Sequence, residues 1–289
     1  MSGQAVTMNG ATSGGTAPVG VGKFFSLENK WIAPIFITTI LVVGNLSFGM
    51  LESYRKTGIA IVASLVTELI LSKIYMGKWP ILASAYISGI SVGILVRSPA
   101  VWPYLVCAVV SIMSKYVLRV NNRHIWNPSN FGISVLVFLA PETVATLSIQ
   151  WGNYLLPMIV IWVLGSVIIA RVRRFNITGT YVMCFILFAF VRSWITGSPW
   201  QSEVAPLTGP MYQLFIFFMI TDPKTTVKSK KWQCIVVAIV ALAEMILRLD
   251  QVVYAPFYAL FLVGPAALLV EYWFELRLRK SVLVARATA

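Results

Sequence analysis

The sequence predicts an all-α, polytopic integral membrane protein, with ten transmembrane helices arranged as a 5+5 inverted repeat. Three observations carry this. The 289 residues are 58% hydrophobic and only 11% charged, with a mean hydropathy of +0.81, whereas a soluble domain carries about 25% charged residues. Apolar runs follow one another from Trp31 onward almost without pause. The basic residues between those runs sort to one side. Such a composition excludes a soluble globular enzyme, a disordered chain and a nucleic-acid module. One His and three scattered Cys exclude a zinc cage, a multi-ligand iron–sulfur site and a disulfide framework.

In chain order, residues 1–30 read as a flexible cytoplasmic tail. Met1 to Gly22 is rich in Gly, Ser, Thr and Ala and carries no charge. It lacks the basic and apolar regions of a signal peptide. The ten-helix domain spans 31–275, with apolar runs at 31–50, 57–76, 79–96, 101–118, 130–149, 153–170, 177–195, 207–221, 232–248 and 253–274. About 20 apolar residues cross the hydrocarbon core, and most runs fit. The eighth is short, and Pro141-Glu142 interrupts the fifth. Residues 276–289 read as a basic cytoplasmic tail. Trp31, Trp79, Trp102 and Trp232 stand at run ends, where aromatic belts form.

Charge tests the count. With the amino terminus inside, five of the 23 Lys and Arg fall outside: Arg55, Lys56, Arg97, Arg192 and Arg248. The other 18 fall on the cytoplasmic side. The positive-inside rule expects this bias, which supports ten spans with both termini cytoplasmic. It also explains the net charge of +13 by the lipid bilayer rather than by nucleic acid.

Two landmarks recur between the halves. The third run ends at Arg97-Ser98-Pro99 and the eighth at Thr221-Asp222-Pro223, their prolines 124 residues apart. The fifth run is entered through Trp126-Asn127-Pro128 and the tenth through Tyr254-Ala255-Pro256, 128 residues apart. Five runs per half put matching landmarks on opposite faces, as in an inverted repeat. A plainer reading is that each proline starts or stops a helix.

The repeat locates a candidate site, because irregular backbone at membrane depth must be buried in protein or line a cavity. The Asn-Pro and Asp-Pro turns both fall on the cytoplasmic side. Asn127, Ser129 and Asn130 bring donors and acceptors to a helix start that favours electron-rich groups. Thr221, Asp222, Thr225 and Thr226 supply more, and Arg123 stands one turn upstream. Helix capping explains Asn127 without any ligand, and an ion pair with one of four nearby lysines is open to Asp222. Glu68 and Glu244 lie inside apolar runs, where carboxylates are costly. Glu244 has Arg248 one turn on, an i,i+4 pair. Glu68 has no base at that spacing and is a candidate for an ion pathway. His124 reads as a surface or hydrogen-bonding residue, and Cys107, Cys184 and Cys234 as small core residues.

The segments Arg123-His-Ile-Trp-Asn-Pro-Ser-Asn-Phe-Gly and Phe217-Phe-Met-Ile-Thr-Asp-Pro-Lys-Thr resemble the NqrB/RnfD family. Its members are membrane subunits of two ion-pumping redox complexes, the sodium-translocating NADH:quinone reductase and the Rnf complex. The chain is most similar to their short UnbU-like relatives, encoded in enediyne biosynthesis clusters. The similarity covers roughly residues 31–275 and is specific at the two turns.

The resemblance implies a multi-pass subunit in the inner membrane of a bacterium, passing electrons across the bilayer within a larger redox complex. It has no catalytic constellation of its own. Its partners are other membrane or redox subunits, and its cofactor is a non-covalent riboflavin or FMN near the cytoplasmic side. The family also esterifies an FMN to a Thr of a Ser-Gly-Ala-Thr-like motif in the outer loop after the fifth span. Here that loop, Pro141 to Asn153, holds Thr143 and Thr146 without the motif. No covalent FMN is therefore expected, and ion pumping loses its support. The Gly10-Ala11-Thr12 match in the amino-terminal tail is on the wrong side and reads as coincidence. No haem is expected, because no His lies within a span, and no metal. Two other readings stay open: a flavin-free structural subunit, and a small-solute channel or transporter with the same inverted repeat.

Overall fold

The structure, a computed structural model, describes residues 31–49, 51–146 and 155–287. The expected amino-terminal tail, with its Gly10-Ala11-Thr12, and residues 147–154 of the outer loop lie outside the described residues. The regular secondary structure described is helical apart from four two-residue strands.

Each of the ten apolar runs carries a helix. These are α1 (Ile32–Phe48), α2 (Tyr54–Met76), α3 (Ala83–Leu95), α4 (Trp102–Val117), α5 (Pro128–Leu139), α6 (Leu155–Val172), α7 (Phe175–Thr196), α8 (Pro210–Met219), α9 (Lys230–Leu249) and α10 (Ala255–Ala287). By length and composition α2, α7, α9 and the Ala255–Leu278 part of α10 can each cross a membrane, and the others are shorter apolar helices. These helices mark a membrane protein.

Helix ends follow local chemistry. Gly77 and Gly197 take left-handed conformations and close α2 and α7. Three bounds differ from the apolar runs. The fifth run is helical only to Leu139, because the residue before Pro141 is driven out of the helical region. The chain then turns at Pro141–Thr143 and pairs β4 (Ala145–Thr146) with β1 (Val96–Arg97). The eighth run begins as a 3₁₀ turn over Ala205–Thr208. Only Pro210–Leu214 is regular α-helix, and the helix widens to a π turn at Phe215–Met219. The tenth helix does not stop with its apolar run at 274 but continues to Ala287. After Pro265 it meets no further Gly or Pro, and its Leu, Glu, Lys and Arg propagate helix well.

Helix α2 is polar on its buried face and apolar on its exposed one. On α2, Ser64, Glu68 and Ser72 are buried, while Val62, Val66, Ile70 and Ile74 are exposed, Ile74 by 70%. A soluble helix shows the reverse, so the outward face suits lipid. Trp31, Trp79, Trp102 and Trp232 are exposed at helix ends.

Close approach holds the core. α1 packs on α3 and α6 on α8; α2 packs on α4 and α7 on α9; α4 packs on α5 and α9 on α10. α2 and α4 run parallel, since Glu52 meets Tyr104 at one end and Glu68 meets Lys115 at the other. α7 and α9 are parallel too, through Asn176 with Gln233 and Tyr181 with Glu244. α5 and α10 run antiparallel, through Trp126 with Phe261 and Asn130 with Phe257. A Cβ on Gly132 of α5 would overlap Ser111 Oγ and sit 2.7 Å from the Cys107 carbonyl oxygen of α4. Gly132→Ala is therefore expected to cost about 1–3 kcal/mol, read as a lower thermal midpoint in detergent. An unchanged midpoint would contradict the α4–α5 contact.

Candidate functional site

The site is assembled by a tight hairpin and two proline turns. After α4, β2 (Arg119–Val120) pairs antiparallel with β3 (Arg123–His124). Asn121 and Asn122 between them both take positive φ, 49° and 62°. That is the type I′ geometry that suits Asn and closes two-residue hairpins. The hairpin buries His124 and delivers the chain to Asn127, the N-cap of α5, with Pro128 in the first turn. Asn127 Oδ1 accepts the Asn130 N–H at 3.1 Å, so the capping role is present.

Capping is only half of what Asn127 does. Its Nδ2 donates to Asp222 Oδ2 at 3.1 Å, joining two turns 95 residues apart in sequence. His124 Nε2 lies 3.3 Å from the same oxygen, a donor position while the carboxylate is ionised. Asp222 Oδ1 accepts the Lys224 N–H at 3.0 Å. The Asp222 main-chain oxygen accepts the hydroxyls of Thr226 at 2.5 Å and Thr225 at 3.4 Å. Burial pushes the Asp222 pKa up. The bonds from His124, Lys224 and Asn127 outweigh it and hold the carboxyl below its ordinary 3.8. Asp222 thus stays anionic at the start of α5, where the helix dipole also favours it.

These residues border a cavity of about 660 Å³, within the range of small-molecule sites. Its walls come from the starts of α3 and α5, the ends of α6 and α8, and Thr221–Lys224. One wall is apolar, formed by Ile168, Val172, Phe217 and Phe218. Trp162 meets Phe217 edge-on at 5.1 Å behind it.

Of the residues singled out in the sequence, His124, Asn127, Ser129, Thr221 and Asp222 line the cavity. Thr221 Oγ1 donates back to the Phe217 carbonyl at 2.7 Å. Arg123, Asn130 and Thr225 are not among the lining residues and brace the walls instead. Arg123 donates to the carbonyls of Lys224 (2.9 Å) and Thr226 (2.5 Å) and reaches Glu271 of α10 at 3.4 Å. Asn130 turns to α10 and donates to the Phe257 carbonyl at 3.2 Å. The ion pair open to Asp222 is not made with lysine side chains, since His124 and Asn127 fill that place, and Lys228 pairs with Glu275 at 2.7 Å.

Glu68 lies elsewhere, in a buried ion pair with Lys115 at 2.5 Å, with the Tyr116 hydroxyl donating at 3.0 Å. A partner on another helix has no fixed sequence spacing, so Lys115, 47 residues on, carries no local signal. Glu244 forms the expected pair with Arg248 at 3.1 Å and also takes hydrogen bonds from Tyr181 and Tyr212. His124 as a buried partner of Asp222 was also out of reach, because the link is tertiary. The one local signal was the Asn-Asn hairpin turn just before it.

The site suits a flavin ring by its donor set. Asn127 keeps one amide N–H and one oxygen lone pair after its two protein bonds, and Asp222 keeps lone pairs. Both stand at a cavity with an apolar wall, a donor set able to meet the carbonyls and ring N–H of an isoalloxazine. No protein-family model matches the chain, and no curated protein matches it in sequence.

Proposed function

We propose that the chain is a membrane subunit of the kind found in the sodium-translocating NADH:quinone reductase and the Rnf complex. It passes electrons across the bacterial inner membrane through a non-covalent riboflavin or FMN in the cavity at Asn127 and Asp222. The flavin, when bound, supplies one- and two-electron redox chemistry; the chain supplies orientation and a site shielded by apolar side chains. The observation that carries the reading is the 3.1 Å bond between Asn127 and Asp222. It links the two segments in which the sequence resembles that family, at the edge of a cavity large enough for the ring system.

Ten spans and the inverted repeat belong to this reading. The cavity gathers the starts of α3 and α5 with the ends of α6 and α8, all four on the side that charge assigns to the cytoplasm. The repeat is supported by the packing of α1 on α3, α2 on α4 and α4 on α5, which recurs five helices later. It is also supported by the single glutamate buried at each parallel contact, Glu68 and Glu244. Single cysteines at Thr143 and Lys228, with the native cysteines replaced, are expected to react with an impermeant thiol reagent from opposite sides. Labelling from one side would contradict ten spans with both termini inside.

The protein purified in mild detergent is expected to be yellow, with the absorption bands of an oxidised flavin. Denaturation should release all of that flavin, leaving no in-gel fluorescence. A colourless protein that also takes up no added flavin would overturn the reading in favour of a structural subunit. A fluorescent band lost in Thr143→Ala or Thr146→Ala would overturn the non-covalent assignment.

A further inference from the structure

The cavity has a polar wall that contacts to the flavin ring leave unused. Ser84, Ser88 and Ser91 stand at i, i+4 and i+7 on α3, and all three line the cavity. At 1.5 Å per residue they form a row of hydroxyls about 10 Å long. Ser88 and Ser91 are only 4% and 5% exposed. They donate to the Ser84 carbonyl at 3.1 Å and the Ile87 carbonyl at 2.9 Å, which leaves their oxygens able to accept. Ser129, 6% exposed, lines the same cavity from α5, and its hydroxyl makes no hydrogen bond among the described residues. Ile168, Val172, Phe217 and Phe218 line the same cavity from α6 and α8.

Alanine would fill the same helix positions and is the stronger helix former, so what serine adds along the cavity is hydrogen-bonding capacity. A cavity lined by both hydroxyls and apolar side chains suits a ligand that is flat and apolar at one end and hydroxylated at the other. We infer that the serines of α3 and Ser129 bind the polyol chain of the flavin, so that the cavity selects flavins carrying a ribityl chain over the bare ring system. This rests on the flavin reading above. Ser88 and Ser91 accept hydrogen bonds from the chain's hydroxyls, and Ser129 donates to one of them.

The test is a pair of fluorescence-quenching titrations of the purified full-length protein, with riboflavin and with lumiflavin, which carries methyl in place of ribityl. The wild type is expected to bind riboflavin about tenfold more tightly, the value of two net hydrogen bonds. Ser88→Ala/Ser91→Ala is expected to weaken riboflavin about tenfold and leave lumiflavin unchanged. Equal binding of the two flavins by the wild type overturns the serine assignment while the flavin site stands. That comparison needs no variant. A riboflavin preference that survives in a folded Ser88→Ala/Ser91→Ala protein overturns it too. Wild type that binds neither flavin overturns the flavin reading and this inference together.

Discussion

Glu244→Leu is expected to lower stability by about 3–5 kcal/mol, the cost of leaving a buried charge uncompensated. Glu244 is fully buried in α9 and carries three donors: Arg248 at 3.1 Å and the hydroxyls of Tyr181 and Tyr212. Removing the carboxylate leaves the partly buried Arg248 guanidinium with only the Tyr212 hydroxyl and the faces of the Phe185 and Tyr212 rings as partners among the described residues. Replacing both members of a buried pair by apolar groups is often close to neutral. Glu244→Leu/Arg248→Leu is therefore expected to recover more than half of the loss. The measurement is the unfolding transition of each variant in detergent. Equal losses in the single and the double variant would contradict the pair as the source of the effect.

Asn127→Leu is expected to weaken flavin binding by roughly 5- to 150-fold. One unsatisfied buried partner costs about 1–3 kcal/mol, and each 1.4 kcal/mol is tenfold. The same change removes the N-cap of α5, worth about 1 kcal/mol of stability, so the two roles have to be separated. Asn127→Ser does this. Serine caps as well as asparagine but brings no amide to Asp222. Stability close to wild type with flavin lost is expected. If stability drops in Asn127→Leu while flavin per folded molecule stays constant, Asn127 is a cap alone.

What the sequence disclosed follows from the range of the interactions involved. Apolar runs and charge alternation are local, and all ten runs carry helices. Proline chemistry is local as well: Asn127 caps α5 before Pro128, and the helix stops ahead of Pro141. Glu244 with Arg248 was legible because four residues make one helical turn. Lys115 beneath Glu68 and His124 beside Asp222 were not, because each link joins separate elements. The apolar run at 207–221 hid a 3₁₀ turn and a π turn, whose hydrogen-bond registers leave hydropathy unchanged. The serines of α3 carry no local signal, because only the fold sets them along a cavity. The continuation of α10 to Ala287 was masked by its basic composition, which marks the cytoplasmic side without saying whether the chain there is helical.

In the proposed function the two proline turns hold one flavin between them. Hydrogen–deuterium exchange of the purified protein with and without saturating riboflavin tests it most directly. The amides of the β2–β3 hairpin and the α5 start, residues 123–131, and of the segment after α8, residues 220–226, are expected to exchange more slowly with riboflavin. Those of the opposite end, residues 141–146, are expected to stay unchanged. Protection confined to another part of the molecule, or none at saturation, would contradict a flavin held between Asn127 and Asp222.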